Sequence, residues 1–270
     1  MMNEFITGAA VAAAIFEKTD FLPNILNPIS KEIGNALSSL FRAVFTPVTL
    51  LGEKADIYKE NQLENYAKEI GVKISQIPEE NLQPPRISVV GSALENSKYC
   101  LDEEKLRELF ANLIASSIDS EKQSYVRQSF AEIIKQLEPI DADNLKYFAQ
   151  FCPKKSNTNM ITPPVEFPCV NYVAKKATTT LVVVPNIFLS GETGENYAMQ
   201  SSSITNLIRL GLITCNYDSY FIDDSKYELY RKVPEYIILN KAATNGFTFD
   251  IQKGSLVITP LGRDFIKTCV

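Results

Sequence analysis

Residues 256–266 read LVITPLGRDFI and give the clearest indication of how the C-terminal part of the chain folds. Leu256 and Ile258 are two positions apart, as side chains on one face of a β-strand are. Thr259 is typical of a helix N-cap and Pro260 of the first helical position, because an N–H at that position has no partner within the helix. The stretch therefore predicts a strand that passes directly into a final helix.

The sequence before this stretch predicts the other elements of the same domain. Residues 206–213, NLIRLGLI, are typical of a helix end followed by a strand, and Gly211 suits a left-handed C-cap. Lys253-Gly254 indicates a tight hairpin turn between two alternating strands. Because the order helix, strand, β-hairpin, helix is that of a winged helix-turn-helix, we expect an α+β fold. It comprises a mainly helical N-terminal bundle followed by a winged-helix-like C-terminal domain with a β-hairpin wing.

Apolar residues in the first half recur at steps of three and four, which indicates amphipathic helices. The clearest runs are Ile33, Leu37, Phe41 and Val44; Leu63, Ala67, Ile70 and Ile74; and Leu106, Leu109, Phe110 and Leu113. Residues 152–166, CPKKSNTNMITPPVE, are polar and show little periodicity. We therefore predict a helical domain over 1–151, a linker over 152–166 and the winged-helix-like domain over 167–270.

The composition excludes several classes of catalytic and metal site. The chain has no His, so Ser-His-Asp triads, Cys-His dyads and His-ligated zinc are excluded. Its five Cys include no C-x-x-C pair, and they indicate reduced thiols in a cytoplasmic protein. The acidic runs 102–104 and 223–224 are better explained by a helix first turn and by a turn. The prediction is a protein that is not an enzyme, with no catalytic, cofactor-binding or metal-ligating residues and no cofactor.

Charge is divided unevenly along the chain, whose formal net charge is −5. Residues 1–150 hold 15 Lys+Arg and 22 Asp+Glu, a net of −7, whereas residues 151–270 hold 12 and 10, a net of +2. Each phosphate that a protein neutralises requires a Lys or Arg. The nearly neutral C-terminal half therefore predicts weak nonspecific attachment to nucleic acid.

A candidate interaction surface follows the predicted helix that ends near Leu210. Its outward residues are expected to be Ser202, Ser203, Asn206 and Arg209, with Lys253 on the wing. Asn can pair with adenine and Arg with guanine in the major groove, so direct DNA binding is one alternative. A single Arg and a single Lys supply little charge, however, which favours contact with a protein partner over contact with nucleic acid.

The N-terminal sequence raises the question of membrane contact. Residues 6–16, ITGAAVAAAIF, are uncharged but shorter than the ~20 residues that a spanning helix needs. We expect helices buried in a protein core, and a cytoplasmic chain. The alternative is peripheral membrane contact through residues 5–51, since amphipathic helices can lie in a bilayer interface.

Three parts of the sequence carry a family resemblance. Residues 103–119, EEKLRELFANLIASSID, residues 126–148, VRQSFAEIIKQLEPIDADNLKYF, and the pair 206–213 and 256–266 resemble the abortive-infection alpha family. The resemblance implies a prokaryotic protein that limits phage spread by disabling the infected cell, and it supplies no catalytic residue. The expected function is nonenzymatic interaction in phage defence, with a winged-helix transcription regulator and a membrane-active effector as alternatives. The oligomeric state is left open.

Overall fold

The computed structural model describes residues 28–49, 56–153, 164–191, 196–241 and 246–270. The chain divides into two compact units: residues 1–142 with 267–270, and residues 143–266. Three sequence predictions lie outside the described residues. They are the structure of the apolar stretch 6–16, most of the linker over 152–166, and the interior of the loop 191–196.

The first unit contains helices whose apolar faces form its core. The helices are α1 (Pro28–Thr49), α2 (Asp56–Ser75), α3 (Ile87–Ser97), α4 (Glu104–Ser116) and α5 (Ser129–Ile134); α6 (Pro139–Ala149) runs from the first unit into the second. The predicted stripe on α2 is confirmed, since Leu63, Ala67, Ile70 and Ile74 are all buried. The ring centroids of Phe41 and Phe45 of α1 lie 6.1 and 6.4 Å from the ring centroid of Tyr66 of α2.

One buried guanidinium joins α2 to α4. Arg107 donates from Nε to both carboxylate oxygens of Glu69, at 3.0 and 3.1 Å, and from Nη1 to the Leu101 carbonyl at 2.7 Å. A shallow groove beside it, of about 370 Å³, is also lined by Lys68 and Lys73. These lysines pair with Glu64 and Glu108, so the groove's cations are neutralised within the chain.

The second unit is built on an antiparallel sheet of four strands within the described residues. These are β1 (Glu166–Lys176), β2 (Thr179–Ile187), β3 (Ile213–Asn216) and β4 (Thr248–Ile258), in the order β2-β1-β4-β3. The accompanying helices are α7 (Tyr197–Arg209), α8 (Glu228–Lys232), α9 (Pro234–Lys241) and α10 (Pro260–Cys269). A mixed fold of helices and strands, as predicted, is therefore present.

The predicted hairpin turn at Lys253-Gly254 is wrong, because both residues lie inside the continuous strand β4. Gly254 is needed for close approach: a Cβ there would lie 2.6 Å from Cδ1 of the Tyr217 ring. Strands β3 and β4 do pair, but residues 217–247 join them and include α8 and α9. The wing predicted from the sequence is absent from this part of the described chain, and the winged-helix assignment is not confirmed.

The junction between β4 and α10 follows the sequence prediction. Thr259 Oγ1 accepts the Gly262 N–H at 2.9 Å, which confirms Thr259 as the N-cap of α10. The Thr259 N–H donates to the Leu212 carbonyl at 3.0 Å. Gly211 has a φ of +74°, so the predicted left-handed C-cap of α7 is also confirmed.

Gly262 allows α10 to start directly against the end of α7. A Cβ at this position would collide with the carbonyl oxygen of Leu212, which is backbone and cannot swing away. We expect Gly262→Ala to lower the free energy of unfolding by about 1–3 kcal/mol, as overpacking does. Denaturant unfolding followed by circular dichroism measures the change.

Gly91→Ala is the matched control for this prediction. Gly91 lies inside helix α3, and a Cβ there would meet no atom within 4 Å. Alanine should raise stability at this position by about 0.5–1 kcal/mol, because it loses less backbone entropy in a helix. Equal effects of the two substitutions would contradict the close contact at Gly262.

Candidate interaction surface

Residues 218–241, here called the connecting segment, pack against one face of the sheet through three buried tyrosines. Tyr227, Tyr230 and Tyr236 form a cluster with Tyr172 of β1 and with Ile251 of β4. Tyr172 and Ile251 are paired across the β1–β4 ladder and therefore point to the same face. The cluster buries large aromatic area and leaves four hydroxyl groups that need polar partners.

The hydroxyl of Tyr230 replaces a hydrogen bond that is missing between strands β1 and β2. It donates to the carbonyl of Pro168 at 2.6 Å and accepts the N–H of Leu189 at 3.4 Å. The β1–β2 ladder ends at the pair Val170–Ile187, so Pro168 and Leu189 would be its next pair. Because proline has no N–H to donate, the tyrosine hydroxyl bridges the two strands there.

The hydroxyls of Tyr172 and Tyr227 also bind backbone groups. Tyr172 donates to the Tyr230 carbonyl at 2.8 Å, and Tyr227 donates to the Gly254 carbonyl at 2.9 Å. The Tyr227 hydroxyl also accepts the N–H of Phe221 at 3.0 Å. Burial raises the pKa of Tyr172 and of Tyr227 above the usual range for tyrosine. The connecting segment is thus fixed to the sheet by neutral hydroxyls.

The first part of the connecting segment, residues 218–224, is an exposed loop with apolar side chains. Ile222 is 96% exposed and Tyr220 is 55% exposed. Phe221, between them, is held by its N–H bond to Tyr227. The Asp223 carboxylate accepts the Ser225 N–H at 3.0 Å. Hydrogen bonds from the side chain and the backbone of Ser225 lower the pKa of the Asp223 carboxyl. These hydrogen bonds restrain the loop, and Tyr220 and Ile222 face solvent while Phe221 packs against the cluster.

The loop is acidic as well as apolar. It contains Asp218, Asp223 and Asp224, and Lys253 of β4 forms an ion pair with Asp224. More apolar side chains on the connecting segment are exposed, namely Leu229, Ile237 and Ile238. Large exposed apolar side chains that are rimmed by polar residues are typical of sites that bind other proteins.

On the other face of the sheet, the Tyr217 side chain crosses from β3 to β2. Its ring lies over Gly254, and its hydroxyl donates to Asn186 Oδ1 at 2.9 Å. Cys169 is paired with Gly254 and so lies on the same face. A hydrogen bond with Cys215 and burial raise the pKa of the Cys169 thiol far above its usual range. The thiol is therefore protonated and a poor nucleophile.

Of the five residues predicted as an interaction surface, the structure keeps Ser202, Asn206 and Arg209 on one helix face and sets Ser203 and Lys253 apart. Ser202 and Arg209 are exposed on α7, and Asn206 Oδ1 accepts from Arg209 Nη2 at 2.8 Å. Ser203 was expected to face outward, but it is 2% exposed and accepts from Asn144 Nδ2 at 2.9 Å. The reason is that helical periodicity places Ser203 beside the buried Ile204 and Leu207. Lys253 contacts the connecting segment.

Sequence reasoning missed the connecting segment as a unit. Tyr227 and Tyr230 are three residues apart, which is a helical spacing, but nothing local shows that their hydroxyls bind sheet carbonyls. The exposure of Ile222 also had no local signal, because an isoleucine that follows Tyr220 and Phe221 suggests burial. The available signal was the tyrosine content of residues 217–236.

Two further properties concern the residues that the structure covers. None of the helices described there is both long and apolar enough to cross a membrane. Over the same ranges, no group of three or more Cys, Asp or Glu side chains is placed to hold a metal ion.

The described elements define the class: an α+β protein with a helical unit and a four-stranded antiparallel sheet that carries a tyrosine-anchored segment. A family model described as abortive infection alpha matches residues 58–269, and the chain belongs to that family. The resemblance predicted from the sequence is confirmed. Searches of curated proteins and of solved structures found no match.

Removing the Tyr230 hydroxyl should leave the backbone groups that it bridges, one partly buried and one buried, without this partner. We expect Tyr230→Phe to lower the free energy of unfolding by about 1–3 kcal/mol, since Pro168 C=O and Leu189 N–H lose their bridge. Tyr220→Phe is the control, because the Tyr220 ring is exposed. Urea titration measures both variants, and identical midpoints would contradict the bridging role.

Raised tyrosine pKa values also make the stability of the fold vary with pH in the alkaline range. The ordinary tyrosine pKa is 10.0, and burial keeps Tyr172 protonated in the folded chain above that value. The unfolded chain loses that proton first, so stability is full below pH 10 and falls as pH rises further. Unfolding midpoints measured across this range should decline less steeply for Tyr172→Phe, and an unchanged slope would contradict the prediction.

Proposed function

We propose that this chain is a nonenzymatic protein of abortive infection that acts by binding a partner protein. Membership of the abortive infection alpha family supports the biological setting. The single observation that carries the binding role is the exposed loop 218–224, with Ile222 at its most exposed position. In this proposal, loss of the infected cell depends on that contact, and no reaction is catalysed by the chain.

The shape of the loop favours binding to a preformed pocket. Its hydrogen bonds to Tyr227 and within the turn at Asp223 fix the loop before a partner arrives, which lowers the entropy cost of association. An exposed isoleucine beside a tyrosine is suited to an apolar pocket. The surrounding aspartates favour a partner whose pocket has a basic rim.

The DNA-binding alternative receives less support than protein contact. Asn206, which would pair with adenine in the DNA-binding alternative, accepts a hydrogen bond from the neighbouring Arg209. The nearest acidic loop, 218–224, would repel a phosphate backbone approaching Lys253. Binding to a duplex therefore stays a prediction from the sequence.

Ile222→Asp should abolish protection against phage while leaving the fold intact. An aspartate at a 96% exposed position costs the fold little but cannot enter an apolar pocket without losing its hydration. Plaque counts on cells expressing the wild-type chain or the variant measure the effect. The phage panel is first screened for a member that the wild-type chain restricts.

Ile87→Asp is the matched control, since Ile87 is also strongly exposed but begins helix α3 of the first unit. We expect Ile87→Asp to protect cells as well as the wild-type chain does. Protection by Ile222→Asp at the wild-type level, with equal expression, would contradict the role of the loop. Failure of the wild-type chain across the whole panel would contradict the abortive-infection role itself.

A further inference from the structure

Strand β2 is an edge of the sheet, and part of it is open on both faces. Leu181 is 50% exposed and Val182 is 53% exposed. Because successive side chains of a strand point to opposite faces, neither face of the sheet is covered at these positions. An edge strand also presents backbone N–H and C=O groups that lack partners within the sheet.

The open part of β2 has clear ends. From Thr179 to Val182 the strand keeps a regular one-to-one register with β1. Beyond Val182 the register shifts, and Pro185 then removes a backbone donor. Bulges and prolines stop edge-to-edge pairing, so the template for another strand is the stretch 179–182, here called the open stretch.

The open stretch lacks the charges that commonly protect an edge. Residues 177–191 contain no Asp, Glu, Lys or Arg, and the nearest charged residues are Lys175 and Lys176 at the other side of the turn. Threonine, leucine and valine favour strands, and pairs of β-branched residues stabilise antiparallel neighbours. An uncharged strand rich in β-branched residues therefore suits this edge, and the open stretch is itself such a strand.

We infer that the open stretch pairs antiparallel with the same stretch of a second copy of this chain. Thr179 then lies opposite Val182 of the second copy, and Thr180 lies opposite Leu181. The antiparallel direction places the lysine end of one hairpin beside the uncharged end of the other, whereas a parallel copy would set lysines side by side. The two sheets join into one of eight strands, which is within the normal size range.

A ladder of four residues buries little area, so the dimer is weak and forms as concentration rises. This inference does not depend on the proposed role in abortive infection, since it concerns self-association alone. A lipid surface suits the hairpin less well, because its turn would enter the bilayer with Lys175 and Lys176 foremost.

Sedimentation velocity of the full-length chain, over a concentration series reaching several hundred micromolar, tests the inference. The wild-type chain should shift from monomer to dimer. Val182→Lys should weaken the dimer by about tenfold or more, because a lysine on an edge strand opposes pairing. Thr180→Lys, at a second exposed position of the open stretch, should do the same.

Val72→Lys is the matched control, because Val72 has a similar exposure of 51% and lies on α2 of the first unit. Its dimer should equal that of the wild-type chain, and circular dichroism checks that each variant is folded. A wild-type chain that stays monomeric overturns the inference. So does a dimer that resists both β2 substitutions, or one that Val72→Lys weakens equally.

Discussion

The rest of the second unit depends on the backbone contact between Thr259 and Leu212. The Thr259 N–H donates to the Leu212 carbonyl, and the Thr259 hydroxyl donates to the Gly211 carbonyl at 2.6 Å. This contact is the step after the Ile213–Ile258 pair, so it fixes the register of β3 on β4. Strand β4 in turn pairs with β1 over most of its length. An error of one residue at the junction would turn every β3 side chain to the wrong face.

The register of β4 then decides what the two faces of the sheet can carry. Gly254 lies where its missing side chain admits the Tyr217 ring on one face, while its carbonyl accepts the Tyr227 hydroxyl. The connecting segment packs stably on the sheet because its tyrosines supply both apolar area and hydrogen-bond donors. A rigid base of this kind explains how a short loop can expose Ile222 without collapsing onto the core.

The sequence predicted local features well where one or two residues determine the outcome. Thr259 as N-cap, Gly211 as C-cap and the stripe on α2 each follow from the geometry of a single helix turn or face. The prediction failed at Lys253-Gly254, because glycine suits both a tight turn and a close approach. The close approach is made by the Tyr217 ring and the Asn216 carbonyl, and Tyr217 is 37 positions away in the sequence.

The candidate surface was harder to predict for the same physical reason. Exposure of Ile222 depends on hydrogen bonds from Phe221 to Tyr227 and from Tyr227 to Gly254, none of which has a local sequence signature. Conversely, polarity alone predicts that Ser203 faces outward, although Asn144 donates a hydrogen bond to its hydroxyl in the interior.

The topology of the sheet separates the two surfaces that we propose for contact with other chains. Loop 218–224 follows β3, which is one edge of the sheet, whereas the open stretch of β2 is at the other edge. The strands β1 and β4 lie between them, and their pairing holds both in one rigid frame. Pairing through β2 therefore leaves the loop free for a partner, and a dimer presents two loops. Binding of a partner that itself has two sites then gains from the raised effective concentration of the second loop.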